Sequence, residues 1–285
     1  MMKQRILFCQ LCPAAYQVSV WKCRMVRNLQ NLFCSGKLAK QKSDKRLPVV
    51  VYKHNSLMRR KLGNVNLALQ EHKVTNLNIA APKVCGIVIQ PGEIFSFWKL
   101  VGACSAKKGY QVGLIIKNGQ TSQDIGGGMC QFTNLIHWLV LHTPLDIVEH
   151  HHHDMWDLFP DYGRTVPFGT GTSIFYNYLD YRFQNNTAQP YQLWVYTNDV
   201  YLCGEIRTTL PLNVKYHIKA EDERFICKEN DIFRTGKIFR ECVDKATGTV
   251  LFKTLIKTNY AKVMYPKSQI TAPVYPAEKT VLSQS

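Results

Sequence analysis

Apolar residues in the centre of the chain recur with helical spacing. Phe132, Leu135, Ile136 and Leu139 fall at i, i+3, i+4 and i+7, the stripe of an amphipathic helix. The pattern predicts a helix from about Cys130 to His142, stopped by Thr143-Pro144. Upstream, "SLMRRKLGNVNLALQEHKVTNLNIAA" is also helical in spacing, through Leu57, Leu67, Val74, Leu77 and Ala81. Gly63 is expected to break that stretch in two and Pro82 to end it. "KVCGIVIQPG" reads as a short buried strand closed by a Pro-Gly turn. "GLIIKNGQTSQDI" reads as two strands joined at Asn118-Gly119, the strongest short-range hairpin signal.

Beyond Pro144 the pattern turns to strands. "LDIVEHHHHDMW", "TSIFYNYLDYRFQNN" and "YQLWVYTNDVYLCGEIR" are separated by turns rich in Pro, Gly and Asn. "RFICKENDIFRTGKIFRECVDKATGTVLFKTLIK" reads as a smaller β appendage with a hairpin at Ala246-Thr247-Gly248, and the chain from Tyr265 reads as extended. The expectation is an α+β fold, a mostly antiparallel sheet packed on a central helix that follows a glycine-rich turn. Its parts are a basic, partly helical arm over 1–55, an α+β domain over 56–210, a β-rich appendage over 211–265 and a tail over 266–285.

Charge adds a class of partner. The chain carries a formal +16 over 285 residues, which attracts anionic membranes, nucleic acids or acidic wall precursors. Residues 1–58 hold eleven Lys and Arg against one acid, Asp44, with Tyr16, Trp21 and Phe33 interleaved. Such an arm suits peripheral contact with an anionic membrane, or is a solvated basic face. Nucleic acid is disfavoured, because no zinc-finger, RNP or helix-turn-helix pattern accompanies the charge. "ILFCQLCPAAYQVSVW" is interrupted by Gln10 and Gln17, short of the roughly 18 apolar residues a spanning helix needs. The reading places the chain in the cytoplasm or at the inner membrane face. The ten cysteines are scattered, and Cys9-x-x-Cys12 has no second pair at zinc spacing. They read as buried free thiols, with no cofactor or metal expected.

The chemistry concentrates in "DIGGGMCQFTNLIHW", residues 124–138. Cys130 at a helix start would feel unpaired N–H groups and the positive end of the dipole, which favour a thiolate. Gly126, Gly127 and Gly128 either make a tight strand-to-helix turn or bring backbone donors to a ligand, with Gln131 adding a side-chain donor. A base would come from His150 to His153, whose alternation on a predicted strand pairs His151 with His153 on one face. Asp180 is placed to orient it. The histidines are otherwise a solvated strand end or an adventitious metal site. Glu93 sits among Ile94, Phe95, Phe97 and Trp98, surroundings that raise a carboxyl toward general-acid duty, unless it is a turn residue facing water. Cys130, His153 and Glu93 are expected to converge on one pocket, between the loops at 92–98, which include Ser96, and 126–131.

These motifs carry a resemblance. "NLNIAAPKVCGIVIQPGEIFSFWKLVG", "GYQVGLIIKNGQ", "GGGMCQFTNLIHWLVLHTPLDIVEHHHH" and "LDYRFQNNT", in that order, resemble the VanW family from about Val74 to Arg207. The matching positions include Pro91, Gly92, Glu93, Phe95, Ser96, Gly126 to Gly128, Cys130, Gln131, His153 and Asp180. The chain departs from the family's pattern at His150, usually arginine, and at Gly171, usually aspartate. The resemblance implies an accessory role in glycopeptide (vancomycin) resistance, acting on or binding a peptidoglycan precursor or a cell-wall enzyme. It leaves open a wall-directed enzyme. Glu93 would then cleave glycan, as in the similar sporulation-type lytic transglycosylases, or Cys130 and His153 would run acyl transfer or amide hydrolysis.

Overall fold

The computed structural model describes residues 7–59, 67–117, 120–152, 155–161 and 163–276. It is the expected α+β arrangement. The helices are α1 (Pro13–Phe33), α2 (Leu67–Val84), α3 (Phe97–Val101) and α4 (Met129–Leu141). Among the described residues no helix is long and apolar enough to cross a membrane.

The main sheet is built from β1 (Val49–Leu57), β2 (Val88–Ile89), β9 (Tyr191–Thr197) and β10 (Tyr201–Thr208), in the order β1-β10-β9-β2 and antiparallel throughout. Alternation along β9 and β10 buries Tyr191, Leu193, Val195, Leu202 and Ile206. The central helix α4 lies across β1 and β10 and buries Phe132, Leu135, Ile136 and Leu139, the stripe its periodicity announced. A second antiparallel sheet, β3 (Ile94–Ser96), β8 (Arg182–Gln184) and β6 (Asp146–Glu149), stacks Phe95 on Phe183 at 4.7 Å. The hairpin β4 (Val112–Lys117) with β5 (Gln120–Ile125) pairs Lys117 with Gln120, the register a two-residue turn imposes.

The appendage is three long antiparallel strands, β11 (Val214–Lys228), β12 (Asp231–Asp244) and β13 (Val250–Val263). Short β14 (Val274–Pro276) and β7 (Trp156–Asp157) are added in parallel at its edges. Arg234, almost fully buried, ties it to the 155–161 segment through Asp157 at 3.4 Å and Asp161 at 2.5 Å.

Four local expectations are corrected. Ser56 and Leu57 are strand, not helix, because they pair with Leu202 and Tyr201 in β10. Residues 49–55, expected within the arm, are likewise β1. Pro82 does not end α2, which runs two residues further to Val84: in the last turn a missing N–H costs little continuing structure. "TSIFYNYLDYRFQNN" contributes only β8; Phe175 and Leu179 bridge across a turn in which Asn177 takes a positive φ of 55°.

Candidate functional site

The glycine turn is built by crowding from three directions. A β-carbon on Gly126 would sit 2.5 Å from Cys104 Cβ, and one on Gly128 would sit 2.5 Å from Lys73 Cγ. One on Gly127 would sit 2.6 Å from Gly113 Cα in the hairpin. Gly126 and Gly128 also need φ of 85° and 106°, values that other residues rarely adopt. Asn76 of α2, fully buried, clamps the junction. Its amide donates to the carbonyls of Gly127 and Gln111, both at 2.9 Å, and its oxygen accepts from Gln111 N at 2.7 Å. The tight turn and the close approach are therefore both real, and the nearest approaching groups are protein.

Gly126, Gly128, Cys130 and Gln131 line a cavity of about 730 Å³; Gly127 does not. The volume suits a ligand of drug size. Trp98, Trp138, Phe159 and Tyr176 supply aromatic wall, Leu114 to Ile116 of β4 supply aliphatic wall, and Arg24, Lys73 and Arg164 supply cations against one acid, Asp124. Two buried polar atoms in this wall have no partner: the Trp138 indole Nε1, a donor, and the Gln70 Oε1, an acceptor. An unpartnered buried polar atom costs about 1–3 kcal/mol, so a polar group brought within reach of either atom would recover part of that cost. The Gln131 amide is already engaged, donating to Ser56 Oγ at 2.9 Å and Leu57 O at 2.8 Å. It anchors α4 to β1 rather than offering a donor.

Cys130 departs from expectation. It is the second residue of α4, where the dipole favours a thiolate, yet burial pushes its thiol above the ordinary value. A hydrogen bond with the Ile174 backbone acts the other way and is the smaller effect. The partner Ile174 comes from some forty residues downstream, so the helix start alone misjudges the thiol. In a variant with the other nine cysteines replaced, Cys130 should alkylate slowly at neutral pH. The rate should rise with an apparent pKa above the roughly 8.5 of a free thiol. A value below it would restore an activated nucleophile.

The remaining candidates are dispersed. Glu93 belongs to the turn after β2: its carboxylate accepts from Gln90 N at 2.8 Å, and its carbonyl accepts from Asn185 N at 2.9 Å. It is absent from the cavity wall. Ser96 and Asp180 are buried together beneath the cavity's Trp98. Ser96 Oγ donates to Asp180 Oδ2 at 2.5 Å, and Trp98 N donates to Oδ1 at 3.0 Å. Asp180 also accepts from Arg182 Nε at 2.8 Å, so it holds a corner of the fold.

His150 to His152 follow β6 in irregular backbone rather than alternating along a strand. His151 contacts Glu149 at 3.0 Å, and His150 contacts Gly171 O at 3.0 Å. His150 lies 3.8 Å ring to ring from His152 and 4.0 Å from fully buried His137, whose pKa is driven well below the ordinary value by burial and by those neighbours. His153 lies outside the described residues. Among the described residues no group of three His, Cys, Asp or Glu side chains has the geometry to hold a metal.

The polar and aromatic wall residues that sequence reasoning passed over include Gln70, Lys73, Asn134 and Trp138. Two were within reach, since Asn134 and Trp138 continue from Cys130 at i+4 and i+8 on one face of α4.

The family profile described as VanW like protein matches residues 72–207, the span that contains the cavity's glycine turn, α4 and the Asp180 corner. Vancomycin B-type resistance protein VanW of Enterococcus faecalis (strain ATCC 700802 / V583) is 31% identical over 223 residues, 78% of this chain and 81% of that one. The chain belongs to the VanW family. The uncharacterized protein YoaR of Bacillus subtilis (strain 168), another similar protein, is 32% identical over 118 residues, 40% of this chain and 36% of YoaR. No solved structure matches.

Proposed function

We propose that this VanW-family chain is an accessory protein of glycopeptide resistance that binds a peptidoglycan precursor in the cavity beside the glycine turn. The observation that carries the reading is the pair of unpartnered atoms, Trp138 Nε1 and Gln70 Oε1, in one concave wall with Arg24, Lys73 and Arg164. A muramyl peptide complements that wall: its amides both donate and accept, its carboxylates meet a surplus of cations over the one acid Asp124, and its sugar faces suit the aromatic rings. Binding fits the geometry better than thiol or glutamate catalysis, because the Cys130 thiol is pushed up and Glu93 stands outside the wall.

The test is calorimetric titration with soluble nucleotide-linked muramyl pentapeptide. Trp138→Phe keeps the ring and deletes the N–H, and should weaken binding about tenfold, near 1.4 kcal/mol. No binding to the wild type, or equal affinity in the variant, rejects the reading.

A further inference from the structure

Helix α1 has two opposed faces, and only one of them is used by the fold. Arg27 grips both oxygens of Glu149 at 2.6 and 2.8 Å and also donates to Tyr178 O at 3.0 Å. Arg24 donates to Tyr176 O at 3.2 Å and stacks over that ring. Asn31 accepts from Arg182 at 2.6 Å. These residues lie within about 60° of one another around the helix, taking 100° per residue.

The opposite face is apolar and, among the described residues, uncovered. Val18, Trp21, Met25, Leu29, Leu32 and Phe33 recur at steps of three and four residues, and their exposure runs from 44% at Met25 to 90% at Phe33. Leu11, just before the helix, is 63% exposed as well. A contiguous apolar face of this kind marks an interaction surface. Its charge surroundings say what kind. Lys22 falls between Leu29 and Phe33 around the helix, Lys37 and Lys40 lie just past its end, and all three are exposed. The helix itself contains no acid, and the only one in residues 1–58 is Asp44. An apolar stripe whose charged neighbours along the chain are all cations complements a surface that is oily beneath and negative at its face.

We propose that α1 seats its exposed face in the headgroup–acyl boundary of an anionic bilayer, lying in the membrane plane. The docked face then hangs the domain beneath the membrane. Arg24, on that docked face, lines the cavity, so the cavity lies about one helix diameter, roughly 10 Å, from the lipid surface. This surface stands whether or not the cavity binds a muramyl peptide.

The test is co-sedimentation of the full chain with vesicles of equal parts phosphatidylglycerol and phosphatidylcholine, and with phosphatidylcholine alone. The chain should partition to the anionic vesicles at least about tenfold more strongly. Leu29→Ser with Phe33→Ser should cut that partition by about tenfold or more, since two large apolar side chains lose their transfer. The thermal midpoint should stay put, because both side chains are exposed. Lys22→Gln with Lys37→Gln should weaken binding to the anionic vesicles alone. Phe252→Ser, on the exposed face of β13, should leave binding intact.

Three outcomes would overturn the proposal. They are no sedimentation with anionic vesicles, undiminished binding by the Leu29/Phe33 variant, or a wild-type dimer on gel filtration that this variant dissolves. The last would assign the face to a second copy of the chain.

Discussion

Asp180→Ala should cost the fold about 3–5 kcal/mol, the range for removing one partner from a buried charge network. The carboxylate is 1% exposed and collects four donors: Ser96 Oγ, Trp98 N, Tyr181 N and Arg182 Nε. Deleting it strands the Arg182 guanidinium, 10% exposed, with Asn31 at 2.6 Å and Glu149 at 3.5 Å as its remaining polar contacts. It also frees the Ser96 hydroxyl and the Trp98 N–H at the start of α3, whose cap is that same Ser96. By the usual scaling for a chain of this size, the midpoint of thermal unfolding should fall by roughly 10 °C.

Asp180→Asn should lose less, because Oδ1 still accepts from Trp98 and Tyr181 while the amide is set against Arg182. Calorimetry of the three proteins decides it. A loss under about 1 kcal/mol for the alanine variant would mean the carboxylate is not structural. The histidine-orienting role expected from the motif would then return.

That correction shows where the sequence was legible. The α4 stripe and the Asn-Gly hairpin were readable because each is decided by residues within about ten positions of one another. The role of Asp180 was not, since its partners arrive through the pairing of β3 with β8, which puts Ser96 opposite Arg182 from 86 residues away. Cys130 failed for the same reason. Its dipole is local, but burial, which pushes the thiol up, depends on what the fold packs around it, including Ile174, whose backbone it bonds. The histidine alternation failed because β6 is bulged between Ile147 and Glu149 and ends there, releasing His150 to His152 from any period of two. The arm's basic count gave its chemistry but hid its architecture. Arg24 and Arg27 face inward to fix α1, while the residues left facing out are mostly apolar. Of the motif positions, Gly126, Gly128, Cys130 and Gln131 line the cavity, while Glu93, Ser96 and Asp180 do not. Which of them touch the cavity was settled by long-range packing.

Gly127→Ala should destabilise by about 3 kcal/mol, the upper part of the usual overpacking range. The penalty is steric rather than conformational, because Gly127 is absent from the positive-φ glycines. The added methyl would lie 2.6 Å from Gly113 Cα and 2.8 Å from Gly113 O, closer than real side chains come to backbone. Neither partner can yield. Gly113 is paired with Asp124 across the hairpin, and the Gly127 carbonyl is held by Asn76, which holds Gln111 as well.

Gly171→Ala is the control. Its methyl would meet only Asn134 Oδ1 at 3.9 Å and the backbone needs no positive φ, so stability should change by less than about 0.5 kcal/mol. Urea unfolding of both variants separates the two meanings of the glycine tract. If Gly127 serves the fold, the alanine variant loses stability first, and cavity binding fails only as the hairpin that carries Leu114 to Ile116 shifts. If Gly127 were kept small for a ligand, the variant would unfold like the wild type and lose binding alone. Gly127 lies off the cavity wall and its carbonyl is held by Asn76, so the first result is the expected one.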